Sequence, residues 1–342
     1  MSLRDKAGQL IVVGFTGETA PSRMITTLRP GGLIYFDDNL RSDAQIRTLS
    51  AASQRAARAG GQPLLIMTDQ EGGPITRLPG TANQPGGAEF NGNARWARRT
   101  ADQTGQLLRR LGINTDLAPV ADVNTVGNAG VIGARSFSSD SAVVSRLVRA
   151  QVCGYHDAGV AAAAKHFPGH GSTTTDSHLR TAVINQSRQQ WERVDLPPFQ
   201  AAIKAHVDMV MVGHLAAPAL DPSGRPATIS PLLDRALLRD RLGFDGVVIT
   251  DALNMGGITS WGDTGQNAVR SINGGADLLL MPPSPAQVVN ALVAAVKSGT
   301  ISIARLDASV ERVLRLKQRL GLYAGPAPAA TPAVTPASLP GC

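Results

Sequence analysis

Eight short apolar runs punctuate the chain, at residues 9–15, 32–36, 63–69, 115–122, 160–165, 209–214, 246–251 and 276–281. They are continuous stretches of Val, Ile, Leu and Ala rather than strict apolar/polar alternations, which predicts strands buried on both faces, as parallel sheets require. Between them, segments such as 43–59, 95–111, 142–158, 188–206, 232–242 and 286–297 repeat apolar positions at helical spacing. Strand and helix alternate, so the strands are expected to be parallel and joined by crossovers. An open doubly wound sheet and a closed barrel both satisfy that pattern. The count of eight, and the absence of a Gly-x-Gly-x-x-Gly turn after the first strand, favour an α/β fold of the (β/α)8 TIM type, a single domain over residues 1–323. After a last helix at 303–320, residues 324–342 are rich in Ala and Pro and carry no charge, and are expected to be an extended or disordered tail.

Composition narrows the class. With 43% hydrophobic and 17% charged residues among 342, the chain is globular with ample material for a large core. A formal charge of +7 suits anionic ligands or simple solubility. The basic clusters at 95–99 and 109–110 fall in helical segments with polar spacing and no nucleic-acid fold signature, so they read as a solvated helix face and no nucleic-acid partner is expected. Of the two cysteines, Cys153 lies in a helical segment and Cys342 is the last residue, so neither a disulfide framework nor a zinc site is predicted, and the redox compartment stays open. No apolar run is long enough to span a bilayer, and residues 2–8 lack the features of a signal peptide. The expectation is a cytoplasmic monomer, or a secreted or cell-envelope protein if a signal has been removed.

Titratable residues collect at one end of the strands. Asp69 closes the third, Asp122 the fourth, Lys165 and His166 the fifth, His214 the sixth and Asp251 the seventh, while the opposite strand ends read as sparse in charge. In such barrels catalytic groups sit at the C-terminal ends of strands, so these residues are expected to converge on one pocket.

The densest chemistry is the run from Lys165 to His178, which holds three of the six histidines. Pro168, Gly169 and Gly171 forbid strand or helix from continuing, so the run is a loop. Asp176 and His178, two residues apart, allow the carboxylate to orient one imidazole and stabilise its protonated form, giving a proton donor and acceptor; an ordinary Asp-stabilised turn is the alternative. Asp251 follows Val247-Val248-Ile249-Thr250 and precedes a Gly-rich loop, a position for a nucleophile or for a helix N-cap. Asp69-Gln70-Glu71-Gly72-Gly73, Arg77 and Arg135 offer carboxylates and guanidinium groups suited to neighbouring hydroxyls, as sugars present; surface salt bridges are the alternative. Metal binding by His166, His170, His178 and Asp251 is disfavoured, because Pro168 and the glycines rule out the helix that would present His166 and His170 together. His170 is expected to shape the loop. No metal or other cofactor is expected.

At these residues the chain resembles glycoside hydrolase family 3, specifically its single-domain β-N-acetylglucosaminidases. The resemblance is carried by Lys165-His166-Phe167-Pro168-Gly169-His170-Gly171 with Asp176-Ser177-His178, by Asp69-Gln70-Glu71-Gly72-Gly73, by Leu117-Ala118-Pro119-Val120-Ala121-Asp122-Val123, by Arg135-Ser136-Phe137, and by Thr250-Asp251-Ala252-Leu253-Asn254-Met255. It implies a retaining hydrolase in which Asp251 is the nucleophile and His178, tuned by Asp176 on a mobile loop, is acid and then base. It also implies that Asp69, Arg77, Arg135, Lys165 and His166 bind the sugar's hydroxyls and N-acetyl group, with His214 near that set. The substrate implied is a small glycan or muropeptide from peptidoglycan turnover. One position departs from the pattern: Pro74 stands where Arg often follows Gly-Gly. Phosphorolysis by the same site is the near alternative, since an imidazole repels an attacking phosphate less than a carboxylate does. A metal-dependent barrel hydrolase and a catalytically silent sugar-binding barrel are the readings from other classes.

Overall fold

The computed structural model describes residues 1–323 and Cys342; the expected tail at 324–341 lies outside the described residues. Eight parallel strands form the barrel: β1 Ile11–Gly14, β2 Gly32–Ile34, β3 Leu65–Thr68, β4 Thr115–Asp116, β5 Ala161–Phe167, β7 Met209–Val212, β9 Val247–Thr250 and β10 Leu279–Leu280. Neighbours run β10-β1-β2-β3-β4-β5-β7-β9, and a parallel bridge between Ile249 and Leu278 closes the ring. Each apolar run of the sequence supplies one strand. Most strands are shorter than their runs, while β5 extends past its run to Phe167. Two short strands, β6 Ala182–Val183 and β8 Leu215–Ala216, pair with each other outside it.

Alternation of side chains divides the core into two layers. One face of each strand fills the barrel with Val12, Ile34, Leu65, Met67, Leu117, Ala161, Ala163, Met209, Met211, Val247, Ile249, Leu278 and Leu280. The other face meets the helices: α1 Leu3–Gln9, α2 Ser22–Leu28, α3 Asp43–Ala59, α4 Ala94–Arg110, α5 Ser141–Asp157, α6 Arg188–Val194, α7 Leu196–Lys204, α8 Gly256–Thr259, α9 Thr264–Gly274, α10 Pro285–Lys297 and α11 Ile303–Arg319. Side-chain caps start the long ones: Ser42 accepts from the Gln45 amide, Asn93 from that of Trp96, and Asp140 from those of Ala142 and Val143.

Two helical expectations change. The single helix read at 188–206 is two, broken at Asp195, because Pro197 and Pro198 fall in the first turn of α7, where their missing N–H groups do no harm, and could not sit inside a continuous helix. The segment Leu232–Arg241 is helical but wound as a π-helix, with the Leu242 amide donating five residues back to Leu237.

The opposite strand ends are not sparse in charge. Asp277, just before β10, is ion-paired with Arg239, with Arg305 at 3.4 Å and with Arg312 at 3.1 Å. Asp208, just before β7, pairs with Arg319 and, at 3.0 Å, with His156. Both aspartates also accept strand amides, from Val248 and Ala162 respectively. Their charges close strand ends, and arginines from the helices neutralise them, so this rim serves stability. Helix α11 seals it: Val313 and Leu316 enter the barrel cluster, and buried Lys317 donates to Gln9 Oε1 at 2.6 Å. Burial pushes the Lys317 ammonium down to about 7.

The cysteines are also corrected. Cys153 on α5 and Cys342 form a disulfide across 189 residues of sequence, with Cα atoms 5.5 Å apart. Pairing over such a distance leaves no spacing signal in a sequence. Cys153 is buried, and Arg98 Nη1 donates to the Cys342 carbonyl at 3.4 Å, so the last residue is held against the α4–α5 surface. The unfolded chain without reductant should expose no free thiol, and reduction should lower unfolding stability by about 2–4 kcal/mol. Denaturation curves with and without reductant measure this, and coincident curves would show that the bond contributes nothing. Among the described residues no helix is long and apolar enough to cross a membrane.

Candidate active site

The C-terminal rim surrounds a cavity of about 300 Å³. Its floor is the top of the barrel filling, Ile34, Met211 and Leu280; the half-buried Phe36, Ile75 and Val131 and the buried Met255 also line it. That volume is at the small end of the range for small-molecule sites, a space for one sugar ring rather than for a long chain.

A charged arc lines one wall. Lys165, at the end of β5 and buried, donates from Nζ to Asp69 at 2.6 Å and pairs with Glu71 at 2.7 Å. Arg135 binds Glu71 through two parallel contacts, Nε and Nη2 each 2.8 Å from a carboxylate oxygen. Burial pushes Glu71 up, but Lys165 and Arg135 outweigh it and hold the carboxyl far below the usual range. Lys165 is held above its usual value: burial lowers it, while Asp69 and Glu71 raise it more. Glu71 and Lys165 therefore stay charged near neutral pH. Glu71 belongs to the Asp-Gln-Glu-Gly-Gly motif but was not singled out, and it locks both Arg135 and Lys165.

The loop after β3 is positioned from beneath. Gln70, fully buried, accepts from the amides of Arg77 and Leu78 at 2.7 and 2.9 Å, which fixes where Arg77 leaves the backbone. Gly72 and Gly73 both have φ in the left-handed region, and Ile75 donates back to Gly72, so Pro74 occupies a turn that needs no N–H from it. The Arg77 guanidinium lies over the Phe36 ring, pairs with Asp37 at 3.3 Å and lines the cavity, while its Nε is buried without a partner among the described residues.

Asp122 organises the long loop after β5. Fully buried, it accepts from the His166 amide at 3.1 Å, from His166 Nδ1 at 2.8 Å and from the His170 amide at 2.6 Å. His166 lines the cavity with its ring oriented by that carboxylate. His170 Nε2 lies 3.0 Å from Ser177 Oγ, which ties the two ends of the loop together. Asp122 was legible as a strand-end charge, but not as the anchor of this loop.

At the far end, Asp176 Oδ1 accepts both the His178 amide at 2.9 Å and His178 Nδ1 at 2.8 Å. The pair is thus at once an Asp-stabilised turn and an oriented imidazole. The His178 side chain is 65% exposed and also lines the cavity, so its Nε2 is open to an incoming group. Burial raises Asp176, but the bonds from the His178 amide and ring outweigh it and hold its carboxyl below the ordinary value.

Asp251 follows β9 on the same cavity. It is not the N-cap of the next helix, since α8 begins five residues later after Met255; its Oδ1 accepts the Ala252 amide at 2.8 Å. Burial pushes its carboxyl up, but His214, His166, the Ala252 amide and Lys165 bring it below the ordinary value, so it is ionised near neutral pH. His214 does not face the cavity. It is fully buried, with Nδ1 2.7 Å from Thr228 Oγ1 and Nε2 2.9 Å from the Ala252 carbonyl, which fixes the loop behind Asp251. Burial holds its ring pKa below the ordinary value. The structure thus brings Asp69, Arg77, Arg135, Lys165, His166, His178 and Asp251 to one cavity, with Asp176 behind His178, and leaves His214 outside it.

Known proteins are similar to this chain in sequence and in fold. Beta-hexosaminidase A of Pseudoalteromonas piscicida is 36% identical over 87% of this chain, which spans 55% of that protein. An uncharacterized secreted glycosyl hydrolase of Arthroderma benhamiae is 32% identical, with 94% of each chain covered. The solved structure of a glycoside hydrolase family 3 beta-N-acetylglucosaminidase from Paenibacillus superposes with a TM-score of 0.92 at 42% identity, over 97% of this chain and 65% of that one. The profile of the glycosyl hydrolase family 3 N-terminal domain matches residues 2–316, so this chain belongs to glycosyl hydrolase family 3.

Proposed function

We propose that this chain is a retaining β-N-acetylglucosaminidase that hydrolyses terminal β-linked N-acetylglucosamine, with peptidoglycan fragments as its substrate class. The observation that carries the reading is the presence, on one sugar-sized cavity, of an ionised Asp251 and a His178 ring oriented by Asp176. Asp251 attacks the anomeric carbon and forms an ester as the glycosidic bond breaks, while protonated His178 gives its proton to the departing oxygen. His178, now neutral, then takes a proton from water as that water displaces Asp251, and the β configuration is restored. The arc of Asp69, Arg77, Arg135, Lys165 and His166 supplies the donors and acceptors that hold the ring. The half-buried Phe36, Ile75 and Val131 give the aglycone an apolar edge to lie against. Similarity to proteins named beta-hexosaminidase and beta-N-acetylglucosaminidase supports the same substrate.

The disulfide further supports a site of action outside a reducing cytoplasm, because such bonds form and persist in oxidising compartments.

Incubation with a slow 2-deoxy-2-fluoro or N-acetylglucosaminide substrate should add one sugar mass to the peptide containing Asp251. In phosphate buffer the product should be free N-acetylglucosamine, and a chelator should leave the rate unchanged. Dominant release of the 1-phosphate ester would make the protein a phosphorylase, and an adduct elsewhere would remove Asp251 from its role.

A further inference from the structure

The two loops that carry Asp251 and His178 are docked onto each other at two glycines. The Gly256 amide donates to the His178 carbonyl at 2.7 Å, and the Gly257 amide to the Ser177 carbonyl at 3.0 Å. Thr181 Oγ1 donates to the Gly257 carbonyl at 2.7 Å and accepts from Trp261 Nε1 at 2.8 Å. The acid/base residue therefore hangs, by its own carbonyl and its neighbour's, from the segment that begins five residues after the nucleophile.

Neither glycine is there for its conformation. Both lie in α8 and neither has a left-handed φ, so alanine would be the better helix former at each. What excludes a side chain is the other loop. A Cβ on Gly256 would collide with the Leu179 carbonyl and sit 2.9 Å from that of His178, while one on Gly257 would lie 2.6 Å from the Ser177 carbonyl and 2.7 Å from His214 Cβ. Real Cβ atoms are essentially never found under 3.0 Å from such neighbours, and neither the backbone carbonyls nor the His214 Cβ is the far end of a flexible side chain that could give way.

We infer that Gly256 and Gly257 are positioning residues for the acid/base: their bare backbone sets how closely His178 approaches the reaction centre of Asp251, and Thr181 braces the same dock. The inference rests on the retaining-glycosidase reading.

The test separates the step that needs an acid from the one that does not. For Gly256→Ala and Gly257→Ala, kcat/KM should fall roughly 10-fold to 100-fold on an N-acetylglucosaminide with a poor leaving group, part of what a general acid contributes. On the 2,4-dinitrophenyl glycoside, whose departure needs no proton, kcat/KM should stay within roughly 3-fold, because the nucleophile is untouched. The kcat of that substrate should fall, since the second step needs a base, and azide should restore it with β-glycosyl azide as product. Should the alanine variants not fold, Thr181→Val removes the brace without adding bulk and should show the same selective loss. Equal losses on both substrates, or no loss, overturn the inference. A wild-type chain inactive on both substrates overturns the underlying reading, whereas wild-type turnover with unselective variants overturns the dock alone.

Discussion

Asp251→Ala should abolish turnover, with kcat on an N-acetylglucosaminide reduced by roughly four to six orders of magnitude, as when a nucleophile is removed from other covalent mechanisms. The carboxylate sits at the end of β9, on the cavity, held ionised against its burial by His214, His166, the Ala252 amide and Lys165. Added azide should enter the vacated face and give the α-glycosyl azide, inverted relative to the substrate. If Asp251 served only to accept the Ala252 amide, its loss would cost about 1 kcal/mol of stability and leave turnover intact. A variant with normal melting, no hydrolysis and α-azide rescue distinguishes the two. The pH profile offers a second check. Because the Asp251 carboxyl lies below its ordinary value of 3.8, the acid limb of kcat/KM should fall below that pH, with activity lost as pH drops and the nucleophile protonates.

The barrel was legible because its physics is local. Buried parallel strands must be continuously apolar, and all eight runs became strands around the ring. The charged rim around the cavity was legible for the same reason: a charge that ends such a run has little choice but the strand's C-terminal edge. What remained hidden depended on distance or on absence. Cys342 finds Cys153 across 189 residues, and only in the folded chain do their Cα atoms lie 5.5 Å apart. Glu71 and Asp122 stood in recognised motifs, but their work is to hold other residues in place, and that appears only when Arg135, Lys165, His166 and His170 are seen converging on them. The arginine ring around Asp277 was missed because Arg239, Asp277 and the α11 pair Arg305 and Arg312 come from three separate places in the chain. His214 sat at a strand end like its neighbours, yet its ring turned behind the nucleophile loop, where both nitrogens found partners. Gly256 and Gly257 are the sharpest case, since the reason for a missing side chain is whatever occupies its space.

His178→Ala should produce a loss that depends on the leaving group. On natural-type substrates, whose departing alkoxide must be protonated, kcat/KM should fall by roughly 10²–10⁴, while an activated aryl glycoside should lose little in its first step. The geometry requires this asymmetry. Asp176 accepts the Nδ1–H hydrogen bond, which leaves Nε2 alone to serve the cavity, and the side chain is 65% exposed, open to an aglycone as it leaves. Asp176→Asn keeps the loop's shape, since an amide oxygen still accepts from the His178 amide, but it removes the charge that favours the imidazolium. It should therefore show the same leaving-group pattern at a smaller amplitude. Azide should restore kcat of His178→Ala on the activated substrate with the β-glycosyl azide, because attack is then on the Asp251 ester. The two azide products thus assign the two residues independently: α from a chain lacking the nucleophile, β from one lacking the base. Losses of equal size on good and poor leaving groups would remove His178 from proton transfer and leave it a substrate contact, and the dock at Gly256 and Gly257 would then position a binding group instead.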